Sequence, residues 1–120
     1  MNLFATIMMI ILGVLHIAIM CLEMFSKPET QANSFDMPLE FVKQPEAQTA
    51  LKNQGIYNGV LGIVILLSLV MVNGAASIAV SELLAGFVLV VGIYGGLTAT
   101  RKIFLIQALP GLIALLSLIL

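Results

Sequence analysis

The sequence predicts an all-α integral membrane protein. The expected architecture is an antiparallel, up-down four-helix bundle with both termini on the non-cytoplasmic side. Three observations lead there. First, hydrophobic residues make up 61% of the 120 and charged residues 9%, against roughly 45–50% and 25% in soluble domains. The mean hydropathy is +1.15, and a small fold cannot bury that much apolar surface, so the bilayer must serve as solvent. Second, four apolar runs each approach the roughly 20 residues that a helix needs to cross a bilayer. Third, every Lys and Arg falls on one side of that four-span plan.

Span one is expected over 3–25. No Lys or Arg precedes it and no small-residue cleavage site follows closely, so it reads as a retained helix and not a secretory leader. Spans two, three and four are expected over 53–72, 77–99 and 102–120, all within a single transmembrane domain of residues 1–120. Asn73-Gly74 breaks the chain between the second and third spans. "TATRK" (98–102) separates the third from the fourth. Backbone groups must be paired in lipid, and the polar alternation of barrel strands is absent, so these runs must be helices.

Lys27, Lys43 and Lys52 lie in the long loop 26–52, and Arg101 and Lys102 in the later turn. Four crossings put both on the same side, and the positive-inside rule makes that side cytoplasmic. Phe35, Leu39, Phe41 and Val42 suggest a short loop segment lying on the inner surface. A solvated linker is the alternative. Net charge is −1, which points to no nucleic-acid partner, and the lone Cys21 can form no intrachain disulfide.

Polar residues inside a span are expensive and usually face the bundle or a wet cavity. With this orientation, Glu23, Asn53 and Gln54 lie about 0–3 Å below the cytoplasmic boundary. Tyr57, Asn58, Tyr94 and Gln107 lie about 7–10 Å deep and His16 about 13 Å. Four helices thus send polar groups to one half of the membrane. Residues 53, 54, 57 and 58 share a wedge of about 140° on span two. His16 and Glu23 lie about 20° apart on one stripe of span one. The candidate ligand-binding residues are therefore His16, Glu23, Asn53, Gln54, Tyr57, Asn58, Tyr94, Arg101 and Gln107, lining a polar pocket open to the cytoplasm. Each also has an ordinary reading. Tyrosines anchor at interfaces, amides hold helices together, a lone His packs, and Glu23 pairs with Lys27, Arg101 or Lys102.

"GIYNG" (55–59) and "GIYGG" (92–96) are both G-x-x-x-G patterns, which let two helices or a second protomer approach. Pro110 removes a backbone donor, frees the carbonyl of Ile106 and kinks span four. Glu82 reads as a structural carboxylate near the dipole of a helix N-terminus. One His and one Cys make no zinc site, and no phosphate loop, nucleophile elbow or dinucleotide fingerprint is present, so no cofactor or metal is expected.

The stretches "HIAIMCLEMF" (16–25), "NQGIYNGVL" (53–61) and "GIYGGLTATRKIFLIQALPGLIALL" (92–116) resemble the bacterial integral membrane proteins of the domain of unknown function 1304 family. The likeness runs over nearly the whole chain. It implies four spans in a bacterial plasma membrane, with His16, Glu23, Asn53, Gln54, Tyr57, Asn58 and Gln107 at motif positions. It implies no activity. Members often carry a Trp soon after the EMF element. Here "SKPET" follows and the chain has no Trp, so the inner end of span one departs from the pattern.

The first functional reading is non-enzymatic: the pocket holds a lipid headgroup or small amphiphile, or the bundle supports a partner membrane protein. A homo-oligomer or partner would dock through the Gly55/Gly59 and Gly92/Gly96 faces. The second reading is a small transporter or channel subunit. The third is an intramembrane enzyme with His16 as base and Glu23 or Tyr57 assisting.

Overall fold

The computed structural model describes residues 1–120, and all its regular structure is helical. Helix α1 spans Leu3–Phe25, α2 Pro28–Phe35, α3 Leu39–Val42, α4 Pro45–Met71 and α5 Ala75–Thr98. A π-helical segment, Phe104–Ala108, leads into α6, Leu109–Ile119. α1, α4 and α5 are each long and apolar enough to cross a membrane, whereas the apolar helix Phe104–Ile119 is shorter. Only 25 of 120 residues are buried. Ile7, Ile10, Val14, Ile63, Leu67 and Val90 are among many large apolar side chains left outside. The chain therefore depends on an apolar medium to solvate its outer surface.

Local chemistry starts and stops these helices. Asn2 caps α1, its side-chain oxygen accepting from the Ala5 N–H at 2.7 Å. Pro28 and Pro45 open α2 and α4, where the missing N–H costs nothing. Asp36 ends α2 in the left-handed region at φ 53°, and its N–H bonds the Ala32 carbonyl. Asn73 and Gly74 (φ 67°) form the turn between α4 and α5.

Two boundaries differ from expectation. α4 begins at Pro45, well before Asn53, because its first turns have their own burial: Ala47 and Leu51 are covered. Leu51 joins Ala32 and Val42 in a small second core, with Phe35, Met37 and Leu39 against it. The loop 26–52 is thus a folded helical cap and not a solvated linker. The fourth run is not one regular helix. Pro110 offers no N–H to the Ile106 carbonyl in α register, and the preceding segment winds wider, with the Leu109 N–H reaching the Phe104 carbonyl. Glu82, too, lies beyond the first turn of α5, which holds no acidic residue, so the dipole account does not apply to it.

α1 packs most extensively on α4 and also on α6, while α5 packs on α6 and the π segment. α4 and α5, although joined by a tight turn, touch little. The main core lies toward the termini and joins Met8, Met9 and Leu12 of α1 to Ile65, Ala85, Val88 and Ala114. The first and last turns meet there, with the Asn2 side chain donating to the Ser117 carbonyl at 3.3 Å. Toward the opposite end, which carries α2 and α3, α4 and α5 stand apart.

Glycines make the tight crossings. A Cβ on Gly62 would stand 2.5 Å from the Gly13 carbonyl oxygen, and one on Gly92 2.5 Å from the Ala108 nitrogen. Gly55 and Gly59 lie under Met24 and Met20, and Gly96 under Phe104. The two G-x-x-x-G faces therefore do not meet each other and are not open to another protomer. The first is filled by α1 and the second by the π segment.

A candidate amphiphile cleft between α4 and α5

The gap between α4 and α5 is a half-enclosed cleft of about 990 Å³. α1 and the π segment form its back, and the end of α2 with Met37 roofs it. Its lining is graded along the helices. On α4, Gln54, Tyr57 and Asn58 lie toward the roof and Val60, Leu61 and Val64 farther in. α5 runs the other way and presents Phe87 and Val91 first, then Tyr94 and Thr98 near the roof. On α1, Ile19 is deeper than Leu22 and Glu23. α4 and α5 thus present apolar side chains at depth and mostly polar ones toward the roof, where Leu51, Phe35 and Met37 also stand.

Six of the nine candidate residues line this cleft: Glu23, Gln54, Tyr57, Asn58, Tyr94 and Gln107. Tyr57 and Tyr94 are 73% and 70% exposed, at the mouth. The other three candidates are elsewhere. His16 is fully buried one turn deeper than Ile19, the deepest α1 residue on the cleft. Its Nδ1–H donates to the Leu12 carbonyl at 2.8 Å, and Nε2 has no partner. Asn53 is exposed and off the cleft, because the face of α4 that lines it is narrower than the expected wedge. Arg101 is exposed at the turn, and its neighbour Lys102 lines the cleft instead. The pocket is also less polar than expected, since 15 of its 25 lining residues are hydrophobic.

Glu23 is fully buried and pairs with none of the expected cations. Its Oε1 accepts from Asn58 Nδ2 at 2.6 Å, while Oε2 is buried without a partner. A carboxylate only accepts, so the Asn58 amide must turn its NH₂ to Glu23. The Asn58 Oδ1 is then left as an acceptor.

The roof is held by residues that depth arguments missed. Gln31, fully buried, donates to the Glu23 backbone carbonyl at 3.0 Å and accepts from Gln48 Nε2 at 2.8 Å. The same Gln48 nitrogen donates to the Val42 carbonyl at 2.8 Å. Asp36 accepts from the Thr100 hydroxyl, and its other oxygen pairs with Lys102 Nζ at 2.9 Å. Lys102 Nζ also donates to the Asn33 carbonyl at 2.9 Å. The Thr100 hydroxyl and then the Lys102 ammonium hold the Asp36 carboxyl below its ordinary range. Asp36 before Met37-Pro38 was a legible turn signal, but nothing local marked Gln31.

By fold and site, this is a small all-helical protein whose long helices have the length and apolarity to cross a membrane, with an amphipathic cleft at one end. The chain belongs to the DUF1304 family of proteins of unknown function, whose pattern matches residues 10–119. The resemblance read from the three sequence stretches thus holds. The chain is also 35% identical over 117 residues to the uncharacterized protein YpaA of Lactococcus lactis subsp. lactis (strain IL1403). That alignment covers 93% of this chain and 97% of YpaA. No solved structure matches the chain.

Proposed function

We propose that this protein is an antiparallel four-helix bundle of the bacterial plasma membrane that holds a single-tailed amphiphile or lipid in the cleft between α4 and α5. Both termini face outward and the α2–α3 cap faces the cytoplasm. The grading of the cleft carries this reading, because a tail with a polar head needs apolar walls at depth and hydrogen-bonding groups at the mouth. The Asn2–Ser117 contact supports termini on one side, and five cations at the other end support its cytoplasmic placement. A transport path would have to run outward through Met9, Leu12, Ile65 and Val88, all fully buried. A His16-based enzyme would need His16 on the cleft.

The chain has two tyrosines and no tryptophan, and both tyrosines line the cleft. Their fluorescence is therefore a reporter of this site. In phosphatidylcholine nanodiscs, dodecanol brominated beside its hydroxyl carbon is expected to quench saturably. Filling the deep wall with Val64→Phe and Val91→Phe together should leave only the unsaturable quenching of probe dissolved in lipid. Quenching that never saturates in the unmodified protein, or that survives the filled cleft, sinks the proposal.

A further inference from the structure

Besides amides and hydroxyls that both donate and accept (Gln54, Tyr57, Tyr94 and Gln107), the polar end of the cleft holds a carboxylate and no free cation. Glu23 lines it with a fully buried carboxylate whose Oε2 is unpartnered. Asn58 is fixed by its 2.6 Å bond to Oε1, which leaves its carbonyl oxygen as an acceptor and one N–H. Two tyrosine rings stand at the mouth, and aromatic faces attract cations. The one cation on the cleft, Lys102, is already engaged by Asp36 and the Asn33 carbonyl. An anionic head would meet a carboxylate and an occupied lysine. A neutral head would leave the buried Glu23 carboxyl without a counter-charge, so that it would stay ionised only at a cost or would take up a proton. An ammonium group supplies what is missing, a positive charge for Glu23, together with donors for Oε2 and for Asn58 Oδ1.

We infer that the occupant of the cleft is an amphiphile with an ammonium head, bound through Glu23 Oε2 and Asn58 Oδ1 beneath Tyr57 and Tyr94, its tail against Val64, Phe87 and Val91. This rests on the amphiphile reading above and specifies its ligand class. Glu23 provides the charge, Asn58 orients it, and the tyrosines cover the head. An aminophospholipid and a free alkylamine share this chemistry.

Displacement of the brominated dodecanol tests it. In phosphatidylcholine nanodiscs, dodecylamine should displace the probe at a concentration at least about tenfold below that of unlabelled dodecanol, as a charge-assisted bond would give. Dodecyl sulfate should be the weakest competitor. Glu23→Gln keeps the side-chain volume and a hydrogen-bonding oxygen toward Asn58, and should erase the preference for amine over alcohol. The order amine, alcohol, sulfate in the unmodified protein needs no variant, so a Glu23→Gln chain that fails to fold leaves the inference open to refutation. Saturable probe binding with no preference for amine, or a preference that survives Glu23→Gln, overturns the ammonium inference but not the amphiphile reading. Absence of saturable probe binding overturns both. Replacing part of the phosphatidylcholine by phosphatidylethanolamine separates the sources. Displacement by that lipid identifies a membrane aminophospholipid, and displacement by dodecylamine alone identifies a free amine. Displacement by neither overturns the inference.

Discussion

Asn58→Leu removes the donor that Glu23 Oε1 accepts from and leaves a fully buried carboxylate with neither oxygen bonded. The expected cost is about 1–3 kcal/mol, read as a lower unfolding midpoint in detergent, together with loss of dodecylamine binding. His16→Leu is the contrasting case. It removes an intrahelical side-chain bond to Leu12 and an unpartnered Nε2, both away from the cleft. Amine binding should be unchanged and stability should move by no more than about 1 kcal/mol. If His16→Leu abolished binding while folding was kept, the assignment of His16 to the packing beyond the cleft would be wrong. The two residues look alike in the sequence, as single polar groups in apolar helices. Only their environments separate them.

At the scale of helices, the crossings depend on which atom a glycine faces. Gly62 and Gly92 face backbone atoms, which cannot step aside. Gly62→Ala and Gly92→Ala should each destabilise by about 1–3 kcal/mol, as overpacking does, and should disturb the packing of α1 on α4 and of α5 on the π segment respectively. Gly55 faces the flexible Met24 side chain, so Gly55→Ala should cost less. Gly86 lies inside α5 with nothing within 4 Å of an added Cβ, and Gly86→Ala should stabilise by about 0.5–1 kcal/mol through helix propensity. Thermal unfolding of the four variants in one detergent checks the order. An equal response at Gly62 and Gly86 would refute the close crossing of α1 and α4.

Over the whole molecule, the Asp36–Thr100–Lys102 contacts tie the cap to the junction of α5 with the π segment. Asp36 titrates below its ordinary value of 3.8 in the folded chain. Its contribution to stability is therefore present above that value and lost as pH falls through the depressed one. Asp36→Asn should make amides of α2 exchange faster at neutral pH. The difference from the unmodified chain should shrink below about pH 4 and at high salt. A difference independent of pH would exclude the ion pair as the tie. Topology is tested in a Cys21→Ser background. A cysteine at position 73 should react with an impermeant thiol reagent added outside intact cells, and one at position 40 should not. The reverse pattern would invert the proposed orientation.

The helical class, the long apolar segments and the turn at Asn73-Gly74 were legible because each follows from local composition and from the requirement that backbone groups be paired in lipid. Position along each helix was legible too, since rise per residue is fixed, and it brought Glu23, Tyr57, Asn58, Tyr94 and Gln107 to one end. Depth does not say what a side chain faces. The separation of α4 from α5, the seating of both glycine grooves inside the chain, the removal of His16, Asn53 and Arg101 from the cleft, and the Gln31 and Asp36 ties to the cap all depend on rotations and contacts between segments distant in the chain. The amino-acid order alone therefore determined that the long apolar runs are helical and at which end their polar groups lie, but not that the fourth run divides into a π segment and a short helix. Which of those ends meet, and around what space, was decided by helix packing, because a contact is a property of two surfaces and a sequence records them one at a time.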